Sequence, residues 1–280
     1  MILFKKATQV SGYILQQKKE GRSIGFVPTM GALHQGHLSL VRACKNSNDI
    51  TVCSIFINPT QFNNAEDLKN YPVTIEKDIE QLAAEDCDVL FLPSVEEVYP
   101  NGHVKKHYDL GNIETILEGH YRPGHFQGVC EVVDRLLEIV QPHTLYLGQK
   151  DFQQCLVIKK MIGLTGRENE MQLNIVPTVR EQDGLAMSSR NLRLNKEQRQ
   201  VAASIFQKLS YIKNNLHKAS FEQLKNTAHQ HLKERGFVVD YVEIAKAGNL
   251  SSATDTSEPL VALAAATIGK IRLIDNLLLN

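Results

Sequence analysis

Two histidines three residues apart, His34 and His37, stand inside the segment VPTMGALHQGHLSLV (27–41). An apolar run ends at Pro28, a loop containing glycine follows, and a helix opens. Such a junction aims free backbone N–H groups at a phosphate. Gly31 and Gly36 have the spacing of a G-x-x-x-x-G phosphate loop, but the next residues are His37 and Leu38. A P-loop needs Lys and Ser or Thr there. Its lysine and its magnesium-binding hydroxyl are both missing, so this is not a P-loop. Histidines at 34 and 37 fall on one side of the chain, near the positive end of the helix dipole. There they can donate to triphosphate oxygens, whose charge grows as the α-phosphorus is attacked. The same pair can also simply cap and pack a helix start. A second group lies about 150 residues downstream, Met187-Ser188-Ser189-Arg190 in AMSSRN. Hydroxyls and a guanidinium grip phosphate oxygens, the guanidinium with a two-pronged fork. Taken alone, that tetrapeptide also reads as a helix cap.

The elements that must carry these groups follow from periodicity. Strand-like runs are Ser23–Thr29, Ile50–Ile57, Asp88–Leu92, Thr144–Leu147 and Met171–Val179. Ile50–Ile57 is continuously apolar and β-branched, as in a strand covered on both faces. Helical patterns cover about 37–45, 74–85, 128–140 and 152–162. Alternating strands and helices predict an α/β domain, a Rossmann-like open parallel sheet wrapped by helices. Beyond about residue 180 the grammar changes to helices at roughly 196–215 and 221–235, then strands at 238–245, 260–267 and 270–278. Asn195 with Gln198, and Ser220 with Gln223, mark capped helix starts. Gly269 can turn between the last two strands. The expected division is a larger nucleotide-binding domain at 1–177 and a smaller C-terminal α+β lid domain at 178–280 that carries the MSSR loop.

Composition sets outer limits. The chain has 280 residues, 42% of them hydrophobic and 22% charged, as in soluble globular proteins. Lys plus Arg and Asp plus Glu both number 31, so no net surplus of cations is present to hold a nucleic acid. No apolar run approaches the roughly 18 residues of a membrane span. The N-terminal MILFKKATQV places its apolar residues before its lysines, the reverse of a secretory signal. Five scattered cysteines without a C-x-x-C pair read as reduced, mostly buried thiols of a cytoplasmic protein.

The H-x-G-H and MSSR motifs resemble those of the nucleotidyltransferase superfamily, whose second signature is a K-M-S-K-S-like loop. The blocks between them resemble the pantothenate synthetase family. They are PTMGALHQGH (28–37), SIFINPTQF (54–62), YP (71–72), YRPGHFQGV (121–129), LGQKDFQQ (147–154) and VPTVREQDGLAMSSRN (176–191). The resemblance covers 28–191 in the family's order, whereas the last 90 or so residues match mainly in length and element order. Thr60 stands where the family usually has Met, and Gln149 where it usually has Glu.

This resemblance implies a two-step ligation. Pantoate carboxylate attacks the α-phosphate of MgATP to give pantoyl adenylate and pyrophosphate, and the β-alanine amine then displaces AMP. His37, His34, Lys150 and Arg190 are the expected catalytic donors. Met30, Gly31, Gly148, Asp151, Val179, Met187, Ser188 and Ser189 join them around ATP, with Asp151 on the ribose hydroxyls. Gln61 and Gln154 are expected on the pantoate hydroxyls, with Phe56 and Phe62 against its methyl groups. Arg122 is expected on the β-alanine carboxylate, helped by Asn58 and Tyr71. Mg²⁺ arrives with ATP, and its protein ligands stay unassigned, with Asp78 the nearest carboxylate by analogy. The family also implies a homodimer.

Two other functions stay open at this point: an adenylyltransferase acting on a phosphorylated metabolite, and an inactive ATP-binding regulator. The extra C-terminal domain and the neutral Gln61 and Gln154 speak against the first, the intact donors against the second. His229 and His231 read as solvated helix surface, and His103 with His107 lacks further ligands at metal spacing.

Overall fold

A computed structural model of the chain describes residues 1–62, 65–100 and 106–280. The chain forms two compact units, Met1–Gly148 with Val157–Val176, and Gln149–Leu156 with Pro177–Asn280. The second unit thus takes a short segment from the middle of the chain, which periodicity does not foretell.

Up to Val176 the elements are β1 (Ile2–Phe4), α1 (Ala7–Lys19), β2 (Ile24–Thr29), α2 (Gln35–Lys45), β3 (Ile50–Ile55), α3 (Ala65–Lys69) and α4 (Ile75–Ala84). There follow β4 (Val89–Phe91), α5 (Val95–Val98), α6 (Glu118–Tyr121), α7 (His125–Val140), β5 (Thr144–Gly148), α8 (Phe152–Leu164) and β6 (Gln172–Val176). The strands make one sheet in the order β1-β4-β3-β2-β5-β6, with every neighbouring pair parallel. All residues of β3 are buried, because helices cover both faces of a parallel sheet. Its Cys53 and Ile55 join Val27, Leu38, Val41, Leu82 and Leu90 in one apolar cluster. From β2 the chain steps to β3 and β4 on one side, whereas β5 and β6 lie on the other. The order therefore reverses between β2 and β5, where open sheets of this kind bind ligands at the carboxyl ends of their strands.

The second unit packs α9 (Lys196–Ala202), α10 (Ser204–Asn214) and α11 (Phe221–Glu234) on an antiparallel sheet of β7 (Val238–Lys246), β8 (Leu260–Ile268) and β9 (Ile271–Leu278). On β8, alternate residues Ala262, Ala264 and Ala266 face the helices' Leu209, Ile212, Leu224 and Leu232 in the core. Both expected capping boxes are formed, at Asn195 with Gln198 and at Ser220 with Gln223. Gly269 turns β8 into β9 at φ +60°, the sign a tight hairpin turn requires of its first central residue.

The structure corrects several boundaries. The helix expected over 196–215 is two helices, because at Ala203 ψ relaxes to −14° and the regular ladder breaks. Helix α7 begins at His125 rather than 128, and 13 of its 16 residues are buried, so it is enclosed rather than striped. Strand β1 and helix α1 have no counterpart in the reading. Three residues at a sheet edge are too short to show a period, and α1 buries only Val10, Ile14 and Gln17. His103 lies outside the described residues, and His229 is exposed on α11 as expected.

Candidate active site

The carboxyl end of β2 runs into the loop Met30–His34. Gly31 has φ +82° and Ala32 φ +49°, so the chain makes a left-handed turn that glycine tolerates and alanine enters at a cost. What holds it there is Asp78, in the first turn of α4 and 0% exposed. Its carboxylate accepts from the backbone N–H of Ala32 (2.9 Å) and Leu33 (2.8 Å) and from the Thr74 hydroxyl (3.0 Å). A buried carboxylate with that many donors needs no cation beside it. Both oxygens are spent on the loop, so Asp78, named above as the nearest carboxylate by analogy, is an anchor for the turn before His34.

His34 caps α2. Its Nδ1 accepts from Gly36 N–H (3.1 Å), and the Nδ1 of His37 accepts from His34 N–H (3.3 Å). The two rings lie with centroids 4.0 Å apart, tilted by 34°. Each Nδ1 acts as an acceptor, so in the neutral ring the hydrogen sits on Nε2. Capping and donation are therefore compatible, since one nitrogen of each ring builds the helix start and the other carries a proton to give. Capping also moves the start of α2 to Gln35, two residues before the expected position.

A second group in the same unit centres on Gln61. Its Nε2 lies 3.2 Å from the Met30 sulfur, and its backbone oxygen accepts from His125 Nδ1 at 2.8 Å. Asn58, 0% exposed, donates to Gln61 Oε1 and to Gly128 O, both at 3.2 Å, and accepts from the Tyr99 hydroxyl at 3.0 Å. Burial pushes that phenol up to about 12, so it remains a donor. A Cβ on Gly128 would stand 2.6 Å from Thr60 O, so only glycine lets α7 close on the 59–61 turn. Tyr71 meets Phe62 edge-on at 5.7 Å, and Phe56 is buried beside Tyr99. Arg122 ends α6, half-buried. A cavity of about 220 Å³ opens between Met30, Phe56, Pro72 and Asp78, with mostly apolar walls. Gly148 ends β5, and a Cβ there would meet no atom within 4 Å.

The second unit holds Lys150, Asp151, Gln154, Val179 and the whole of Met187–Arg190. Lys150 and Asp151 lie on a single 3₁₀ turn, Gln149–Asp151, their charged groups 3.9 Å apart. Gln154 is half-buried on α8, whereas its neighbour Gln153 is buried. Residues 179–187 form a hairpin, with Met187 N–H on Val179 O at 3.0 Å and Glu181 N–H on Leu185 O at 2.8 Å. At its tip Gly184 has φ +92°, and a Cβ there would lie 2.2 Å from the Phe206 ring. That glycine is explained by turn and packing. Ser188 then caps the 3₁₀ turn Ser189–Arg193 by accepting from Arg190 N–H.

Comparison with known proteins adds the deciding observation: the sequence profile of the pantoate–beta-alanine ligase family matches residues 2–278. The chain belongs to the pantoate–β-alanine ligase family. It is 43% identical to the pantothenate synthetase of Vibrio parahaemolyticus, over 99% of this chain and 92% of that one. It is 40% identical to the pantothenate synthetase of Cytophaga hutchinsonii, over 100% and 99% of the two chains. The crystal structure of the Thermus thermophilus pantothenate synthetase superposes with a TM-score of 0.93 at 36% identity, covering 99% of both chains. A Francisella tularensis pantoate–β-alanine ligase, solved with a β,γ-ATP compound and β-alanine, gives 0.83 at 37%, covering 99% of this chain and 97% of that one.

Within this family assignment, the sequence-predicted residues divide between the two units. His34, His37, Met30, Gly31, Asn58, Gln61, Tyr71, Arg122 and Gly148 belong to the first, the remainder to the second. Asp78 as loop anchor, His125, Arg180, Asp275 and Asn276 were missed as contributors. Only Asp78, in the first turn of a helix with clear periodicity, left a trace in the pattern. Among the described residues no cluster of three or more His, Cys, Asp or Glu is disposed to hold a metal ion, and no helix is long and apolar enough to cross a membrane.

Proposed function

We propose that the chain condenses pantoate with β-alanine at the expense of ATP, through pantoyl adenylate, releasing pyrophosphate and then AMP. The observation that carries the mechanism is the pair of histidines at the carboxyl end of β2, each with Nδ1 used as an acceptor. Two Nε2–H donors then serve the charge that builds on the phosphates as the pantoate carboxylate attacks the α-phosphorus. Lys150 and Arg190 supply cationic donors to the same step. Met30, Gly31, Gly148, Val179, Met187, Ser188 and Ser189 line the nucleotide, and Asp151 accepts from its ribose hydroxyls. Mg²⁺ enters as part of the ATP substrate and keeps several waters.

Gln61 and Gln154 hydrogen-bond the pantoate hydroxyls, where a neutral carboxamide avoids the cost of desolvating a charge. Asn58 serves that group by holding the Gln61 carboxamide. Arg122 and Tyr71 receive β-alanine. When its amine attacks the activated carbonyl, the bond to AMP breaks, and the amine's proton leaves with the released products. A homodimer, which rests on the family resemblance, and a cytoplasmic location, which rests on the scattered cysteines, complete this reading.

The test is exchange of labelled pyrophosphate into ATP with pantoate present and β-alanine absent. Exchange that requires pantoate supports the adenylate step and the acid substrate together. Its absence from folded, ATP-binding protein would overturn both. His37→Ala is expected to slow exchange about a hundredfold or more, the usual effect of losing one preorganised donor.

A further inference from the structure

Lys150 sits on a three-residue turn, too short to fix itself through its own hydrogen-bond ladder. The support comes from β9. The carboxamide of Asn276, which is 2% exposed, donates to Gln149 O at 3.0 Å and to Lys150 O at 2.9 Å. Gln149 Nε2 returns a bond to Asn276 Oδ1 at 3.2 Å. Both hydrogens and the oxygen of this side chain are thus used on one turn, 126 residues away in sequence.

Asn276's neighbour on the strand secures the other cation-bearing segment. Asp275 takes the fork of Arg180 on its two oxygens, at 2.6 and 3.0 Å. The same guanidinium donates to Asn276 O (3.0 Å) and Gly184 O (3.1 Å) and lies 3.9 Å over the Phe206 ring. Arg180 belongs to the 179–187 hairpin that ends in Met187–Arg190. Two consecutive residues of β9 therefore hold the turn of Lys150 and the hairpin that leads to Arg190. The strand reads IRLIDNLL, and apolar side chains would satisfy its packing at lower desolvation cost. A buried carboxamide with all its hydrogens assigned to one backbone turn is better explained by what that turn carries.

We infer that Asn276 is a positioning residue for Lys150, fixing the lysine's turn so that its ammonium meets the phosphates in register; this rests on the assignment of Lys150 to the adenylation step. A displacement of about 1 Å in such a group lowers rates by about a hundredfold. An asparagine that merely stabilised the second unit would lower thermal stability without coupling to Lys150.

The experiment is a double-mutant cycle on the whole protein, read by pantoate-dependent pyrophosphate exchange and by Tm. Asn276→Ala is expected to lower the exchange kcat about a hundredfold. In a Lys150→Ala background the same change should cost less than about twofold, because the group it positions is gone. Equal losses in both backgrounds would overturn the inference. Full exchange by Lys150→Ala alone would instead remove the role of Lys150, and the positioning role with it. If Asn276→Ala does not fold, Asn276→Ser, which keeps one hydrogen to donate, is expected to fall between wild type and Lys150→Ala. Wild-type exchange by folded Asn276→Ser would overturn the inference.

Discussion

The loop before His34 and the hairpin before Arg190 are each anchored on a buried aspartate, and the two anchors use opposite kinds of donor. Asp78 takes backbone N–H groups and a hydroxyl, with the N-terminal dipole of α4 behind it. Asp275 takes a guanidinium fork. Burial holds its carboxyl above the usual range, and Arg180 offsets that only in part. In the first case the ligated groups are the loop itself, so anchor and turn are one object. In the second, a side chain mediates between strand and hairpin, and the anchor depends on a charge staying in place. Losing the first anchor leaves uncharged N–H groups unmet, whereas losing one half of the ion pair strands a buried charge, which costs more.

The largest expected effect tests that dependence. Arg180→Ala leaves Asp275 buried without its partner and should destabilise the protein by about 3–5 kcal/mol in urea unfolding. A loss below about 1 kcal/mol would show that the fork contributes little and would break the contrast. Arg180→Lys should recover only part, since an ammonium cannot span both oxygens. Asp78→Asn comes next. The variant turns an NH₂ toward a backbone N–H, which should cost about 2–3 kcal/mol. Because the loop carries His34, exchange should fall roughly ten- to a hundredfold. A normal rate in the destabilised variant would separate anchor from chemistry.

Gly128→Ala should cost about 1–2 kcal/mol through overpacking. By displacing the 59–61 turn it should raise the KM for pantoate more than that for ATP; equal shifts would detach Gln61 from pantoate. The smallest effect concerns pH. A third buried aspartate, Asp134, would be raised by burial, but hydrogen bonds from Lys106, Tyr108 and Arg167 outweigh this and hold it below the usual range. Such a depressed carboxyl stabilises the fold above its unfolded value, about 3.9, and loses that contribution as pH falls through its folded value. Wild type should thus lose stability below about pH 4 more steeply than Asp134→Asn. Parallel curves would mean that the three donors bring no net preference for the charged form.

The parallel sheet was legible because β3 and its neighbours are continuous apolar runs, and the capping boxes at Asn195 and Ser220 because their signature is local. The histidine loop was legible for the same reason. What escaped was remote: Asp275 and Asn276 lie 95 and 126 residues from the groups they hold, and nothing in IRLIDNLL announces a partner so distant. Asp78 enters the sequence reading only as the nearest carboxylate by analogy, because the two backbone donors that it holds do not show in the pattern. Gly184 is fixed by Phe206, a contact across 22 residues that only packing reveals.

The division of the chain also has a consequence for its synthesis. Residues 149–156 fold with a unit whose last strand, β9, is made much later. At about 5–20 residues per second, the 126 residues between Lys150 and Asn276 correspond to roughly 6–25 s on the ribosome. Throughout that interval a nascent chain can carry a finished histidine loop, with Asp78 already in place, while the turn of Lys150 still awaits the strand that holds it.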